Sequence, residues 1–119
     1  MPRIAPEIFR KRLLIEGYFA RQELDAAAIR EYFTVITSRL GLRTYGEPTV
    51  HTTSGQGKAA NQGYDAFVPL IDSGIYVCVW SARTFASVFL YTCAEFDDAE
   101  AIEATRAFFE LTEWETASF

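Results

Sequence analysis

The spacing of apolar positions changes along this chain, and each change marks an element. Between residues 70 and 93, Ile75, Val77 and Val79 alternate with Tyr76, Cys78 and Trp80, the period of a strand with two distinct faces. A polar corner, Ser81-Ala82-Arg83-Thr84, separates it from a second strand-like run over 85–93. Residues 23–40 follow a longer period. There Ile29, Phe33, Ile36 and Leu40 share one side of a helix, and Gly41 is placed to end it in a left-handed conformation. Near the start, Leu13, Leu14 and Ile15 sit between charged residues and suit a first strand, ended at Gly17. Residues 43–53 read as a second strand weakened by Gly46 and Pro48. Residues 64–71 form a third, which Pro69 places near a sheet edge because it lacks an N–H. Asp97 or Asp98 caps a last helix over 99–111, with Ala101, Ile102, Ala104, Ala107, Phe108 and Leu111 as its apolar face. Residues 112–119 either add a short strand or trail off.

This order predicts an α+β fold: a two-layer sandwich, its mostly antiparallel sheet carrying two helices on one face. Tyr76, Trp80, Phe89 and Tyr91 then fall on the side the helices leave open. Such an aromatic surplus predicts a homodimer formed by sheet or edge contact. The chain of 119 residues reads as a single domain, with residues 1–9 as an N-terminal arm and 54–63 as a flexible loop. That loop, SGQGKAANQG, holds glycines and Lys58 but matches neither the phosphate-loop nor the dinucleotide spacing.

Composition narrows the function. A net charge of -5 argues against a general nucleic-acid surface. The early cluster Arg3, Arg10, Lys11 and Arg12 reads as a solvated arm or strand edge. No apolar run is long enough to span a bilayer, and the first residues make a poor signal peptide. With no export signal, Cys78 and Cys93 are expected as reduced thiols in the cytoplasm. One histidine and two separated cysteines do not make a metal set.

Candidate chemistry concentrates around Asp72-Ser73-Gly74 and the two cysteines. Here the chain resembles the small prokaryotic, pyruvoyl type of S-adenosylmethionine decarboxylase. That family's signature is Glu-Ser-His, an alternating strand, Thr-Trp, a corner, and a strand ending Phe-Thr-Cys. Asp72-Ser73-Gly74, Val79-Trp80 and Tyr91-Thr92-Cys93 fall into this frame without a gap. Lys11-Arg12-Leu13-Leu14-Ile15-Glu16 is similar to the family's opening Arg-His-Leu-Leu-x-Glu strand. The likeness runs from about residue 10 to 111.

The resemblance implies self-cleavage between Asp72 and Ser73 that leaves a pyruvoyl group derived from Ser73 as the cofactor. It also implies decarboxylation of S-adenosylmethionine for polyamine synthesis, with Cys93 returning a proton. Cys78 falls where the family has its processing histidine, Asp65 where it has a processing serine, and Ala82 where it has a substrate-contacting glutamate. Glu16 and Trp80 are the candidates for substrate contact. His51 lies outside the matching frame and reads as a surface residue or a base from a neighbouring strand. A second reading keeps the scaffold without cleavage: a homologue that binds S-adenosylmethionine or a related amine, or regulates an active paralogue. A third is a plain α+β dimer sharing the fold alone.

Overall fold

The computed structural model describes residues 3–53 and 57–119. Strand β1 (Lys11–Phe19) leads into helix α1 (Ala26–Leu40). Strands β2 (Thr49–Thr52), β3 (Gly63–Leu70), β4 (Ser73–Trp80) and β5 (Phe85–Thr92) follow, then helix α2 (Asp98–Phe109) and strand β6 (Leu111–Ser118). One sheet holds all six strands in the order β2-β3-β4-β5-β1-β6, and every pairing is antiparallel. The α+β sandwich is the expected one, with a sixth strand added.

The helix ends follow from local chemistry. Asp25 accepts the Ala28 N–H at 2.9 Å, so α1 begins after it; Glu23, in the left-handed region, lies outside. Gly41, at φ 68°, closes the other end, its N–H on the Ser38 carbonyl and the Leu42 N–H on that of Thr37. Asp97 caps α2 by accepting the Ala99 N–H. Glu110 takes a left-handed turn that ends α2 at Phe109, so Leu111, expected on the helix, instead opens β6.

The core lies between helices and sheet. Leu13 and Ile15, Val68, Ile75 and Val77, and Val88 and Leu90 all point inward, meeting Ile29, Phe33 and Ile36 of α1 and Ala101, Ala104 and Phe109 of α2. Tyr32 is also fully buried; its hydroxyl pairs with Thr105 Oγ1 at 2.8 Å and links the two helices. Burial pushes this phenol's pKa well up. Tyr32→Phe removes that bond and strands the Thr105 hydroxyl. Urea unfolding is expected to show a loss of about 1–2 kcal/mol; an unchanged midpoint would mean that the pair adds nothing.

Two strand expectations change and one holds. Within 43–53 only Thr49–Thr52 is a strand, and Thr44 makes a lone bridge to Leu70; Gly46 and Pro48 interrupt what lies between. Strand β3 lies near the edge as expected, with only the short β2 outside it. Pro69 is tolerated there because β2 pairs no further along β3 than Phe67, opposite Thr49. Finally, β1 runs through Gly17 to Phe19, and the last residues form a full strand against it.

The three positions 54–56 of the expected loop lie outside the described residues; its later part forms a 3-10 turn, Ala59–Asn61. Of the expected N-terminal arm, positions 1 and 2 likewise lie outside. Among the described residues no helix is long and apolar enough to cross a membrane.

Candidate active site

The hairpin between β3 and β4 builds the site. Leu70 pairs with Ser73, which leaves Ile71 and Asp72 as the turn. One turn residue takes a left-handed conformation, and it is Asp72, at φ 55°. A short polar side chain tolerates that region better than a β-branched one. Ser73 therefore starts its strand directly after a strained residue.

Its hydroxyl is held in place. Ser73 Oγ accepts the Cys93 N–H at 3.1 Å, and both residues are half-buried rather than packed away. Cys93 is a free thiol. Ser73 and Cys93 line one cleft of about 340 Å³ with Asp72, Ile71, Leu42 and Arg43. Ser73 also borders a hollow of about 450 Å³ on the open sheet face, walled by Phe67, Tyr76, Phe89 and Tyr91. The serine thus stands between a cleft of mixed polarity and an aromatic hollow. Gly74 lets the Phe67 ring lie close beside it: a β-carbon there would lie 2.7 Å from the present ring position, so a larger residue would have to displace the exposed ring. Phe67 occupies space that a larger residue at position 74 would need.

The remaining candidates stand elsewhere. Across the open face, His51, Asp65, Cys78, Ser87 and Glu16 form one row, each opposite the next in the strand register. Cys78 donates its thiol to Asp65 Oδ1 at 3.4 Å, and Ser87 donates to Glu16 Oε2 at 2.8 Å. Trp80 packs at the far end of β4 against Phe85, with ring centroids 5.5 Å apart. Cys78 is five residues beyond Ser73 on β4, about 16 Å along an extended strand, and Trp80 about 23 Å. The single chain therefore brings Ser73, Asp72 and Cys93 together and keeps Asp65, Cys78, Glu16 and Trp80 apart from them. Ala82 is exposed in the 3-10 turn Ser81–Arg83.

Burial, with the Asp65 carboxylate, pushes the Cys78 thiol above its ordinary pKa, while the Tyr76 hydroxyl opposes the rise. Tyr76 is itself pushed up to about 12, chiefly by its hydrogen bond to Cys78 and by burial. The thiol is consequently neutral and a proton donor at neutral pH. Asp65→Asn removes the charge that disfavours thiolate, so the Cys78 titration is expected to move to lower pH. Thiolate ultraviolet absorbance against pH, in a Cys93→Ala background, reads Cys78 alone. A move to higher pH would contradict the assignment.

Three of the four N-terminal basic residues are spent on the fold. Lys11 meets Glu95 at 2.8 Å and Asp98 at 2.9 Å; burial works against its charge, yet these carboxylates raise its pKa. Arg12 lies between the Tyr91 and Phe119 rings, and Arg10 bonds the Ile4 and Ala5 carbonyls. No group of three or more His, Cys, Asp or Glu among the described residues could hold a metal ion.

Sequence reasoning missed Arg43 as a lining residue. It follows the helix-ending Gly41, and no periodicity says where such a segment folds. The aromatic hollow was readable in outline, because Tyr76, Phe89 and Tyr91 alternate with core residues.

Comparison with known proteins agrees with the fold. A search of curated proteins finds no match. A crystal structure of the adenosylmethionine decarboxylase from Aquifex aeolicus VF5 superposes with a TM-score of 0.74, over 94% of this chain and 89% of that one. The two are 16% identical in sequence, so this likeness speaks for the fold. The family model described as S-adenosylmethionine decarboxylase matches residues 11–119. The chain belongs to the S-adenosylmethionine decarboxylase family.

Proposed function

We propose that this chain cleaves itself between Asp72 and Ser73 and then decarboxylates S-adenosylmethionine, as a step of polyamine synthesis in the cytoplasm. The observation that carries the reading is the Ser73 hydroxyl, anchored by the Cys93 N–H at 3.1 Å in a cleft that Cys93 also lines.

The residues fit the formation of a pyruvoyl group. The Ser73 oxygen attacks the Asp72 carbonyl, and the peptide becomes an ester. Elimination frees the Asp72 carboxylate and leaves a dehydroalanine, which takes up water and releases ammonia, leaving a pyruvoyl group at position 73. The left-handed Asp72 stores strain of about 1 kcal/mol or more, which the cut relieves. When in place, the pyruvoyl ketone supplies the sink for the electron pair released as carbon dioxide leaves. Cys93, half-buried in the same cleft, holds the proton returned to the substrate carbon. The Phe67, Tyr76, Phe89 and Tyr91 hollow offers flat faces to a purine and to a sulfonium charge.

Dimerisation completes the reading. The sheet face opposite the helices leaves Tyr76 44% and Phe67 40% exposed, a surface suited to a second copy. Cys78 and Asp65 stand too far along the sheet from Ser73 to act on it within one chain. Glu16 and Trp80, on the same open face, would then meet substrate across that interface.

The test is release of labelled carbon dioxide from carboxyl-labelled S-adenosylmethionine over a dilution series, with mass determined in parallel. The expected result is turnover that falls as dimers dissociate. Turnover by a monodisperse monomer would remove the dimer from the mechanism. No turnover by an intact dimer would leave the non-cleaving homologue as the better reading.

A further inference from the structure

A cleft of about 470 Å³ opens on the helix side of the sheet, between α1 and the segment leading into β2. Its volume falls within the range of small-molecule sites. Arg30, Thr34 and Ser38 line it at four-residue steps, one stripe of α1. Arg43 and Thr44 face them from the segment after Gly41. Its floor is apolar, with Phe33 and Val68 buried beneath.

The arginines of this chain are mostly committed. Arg39 pairs with Glu100 and Arg106 with Glu103, while Arg21 lies over the Phe108 ring. Among the described residues Arg30 and Arg43 have neither an ion pair nor a hydrogen bond from their side chains, and no Asp or Glu lines their cleft. In a protein of net charge -5, two arginines without a side-chain partner that line one cleft free of Asp and Glu mark a place for an anion. Guanidinium forks match oxyanions two bonds at a time, and free hydroxyls add further donors.

We propose that this cleft is a binding site for a small organic oxyanion, a phosphate or carboxylate on an apolar body. The charged end meets Arg30 and Arg43 with Thr34, Ser38 and Thr44. The carbon skeleton lies against Leu42 and Pro48, the half-buried apolar wall of the cleft. Leu42 and Arg43 also line the Ser73–Cys93 cleft, so the two sites share a wall. Arg30 belongs to the helix-side cleft and not to the other, which separates them by experiment. The proposal does not rest on self-cleavage.

Isothermal titration of the full chain with phenyl phosphate, phenylacetate, inorganic phosphate and benzyl alcohol tests it. Saturable binding is expected for one or both aromatic anions, weaker binding for inorganic phosphate, and none for the neutral alcohol. Arg30→Gln and Arg43→Gln should each weaken binding at least tenfold, while Arg83→Gln, in the distant turn after β4, leaves it unchanged. Circular dichroism checks that each variant is folded. No saturable anion binding, equal binding of benzyl alcohol, or affinity indifferent to Arg30→Gln would overturn the proposal.

Discussion

Replacing Ser73 by alanine is expected to give a chain that folds, stays whole and releases no carbon dioxide from S-adenosylmethionine. The hydroxyl is the one atom of that side chain the reaction needs, first to attack the Asp72 carbonyl and then to leave by elimination. Structurally the change is mild. Ser73 opens a strand and is half-buried, and it accepts one backbone hydrogen bond from Cys93. Losing that bond costs about 1 kcal/mol. The midpoint of thermal unfolding should therefore move little while both activities vanish. Residual cleavage at this peptide bond in the alanine variant would show that another group performs the attack.

The second large effect is expected at Cys93. Its alanine variant is expected still to cleave, because the bond that holds the Ser73 hydroxyl comes from the Cys93 backbone N–H, which alanine keeps. Turnover should fall by about 10²–10⁴, the usual contribution of a positioned proton donor. With the aromatic hollow untouched, KM should change little, so the loss should appear in kcat. Quantifying both fragments and steady-state rates on one preparation separates these steps. If Cys93→Ala turns over like the parent, the sulfur is not the donor. If it fails to cleave, the thiol also serves processing.

Much of the fold was readable because local patterns and tertiary packing agree. Ile75, Val77 and Val79 point into the core, while Tyr76, Cys78 and Trp80 point out. Gly41 ends α1 as its position suggested. Strand β6 was hard to read for a physical reason. Beyond Leu111 every residue of it is exposed, so nothing in its apolar pattern marks it as a strand; pairing with β1 holds it. The core role of Tyr32 was equally hidden, since its hydroxyl needed a partner, Thr105, on a helix far along the chain.

At the site, the family frame aligned Ser73, Cys78 and Cys93 in order without giving distance. The five-residue step from Ser73 to Cys78 is an odd number. By strand period alone it puts them on opposite faces as well as far apart. The nearness of Ser73 to Cys93 comes instead from the β4–β5 pairing, which sets Gly74 opposite Tyr91. Arg43 was unreadable because it depends on how the chain leaves α1.

Whether backbone and hydroxyl react at the β3–β4 bend is decided by the mass of the purified protein under denaturing conditions, after incubation in its native state. The expected spectrum has two fragments parting between Asp72 and Ser73, the later one carrying a ketone in place of a free amine. One full-length species, unchanged after prolonged incubation of the folded protein, would contradict the account.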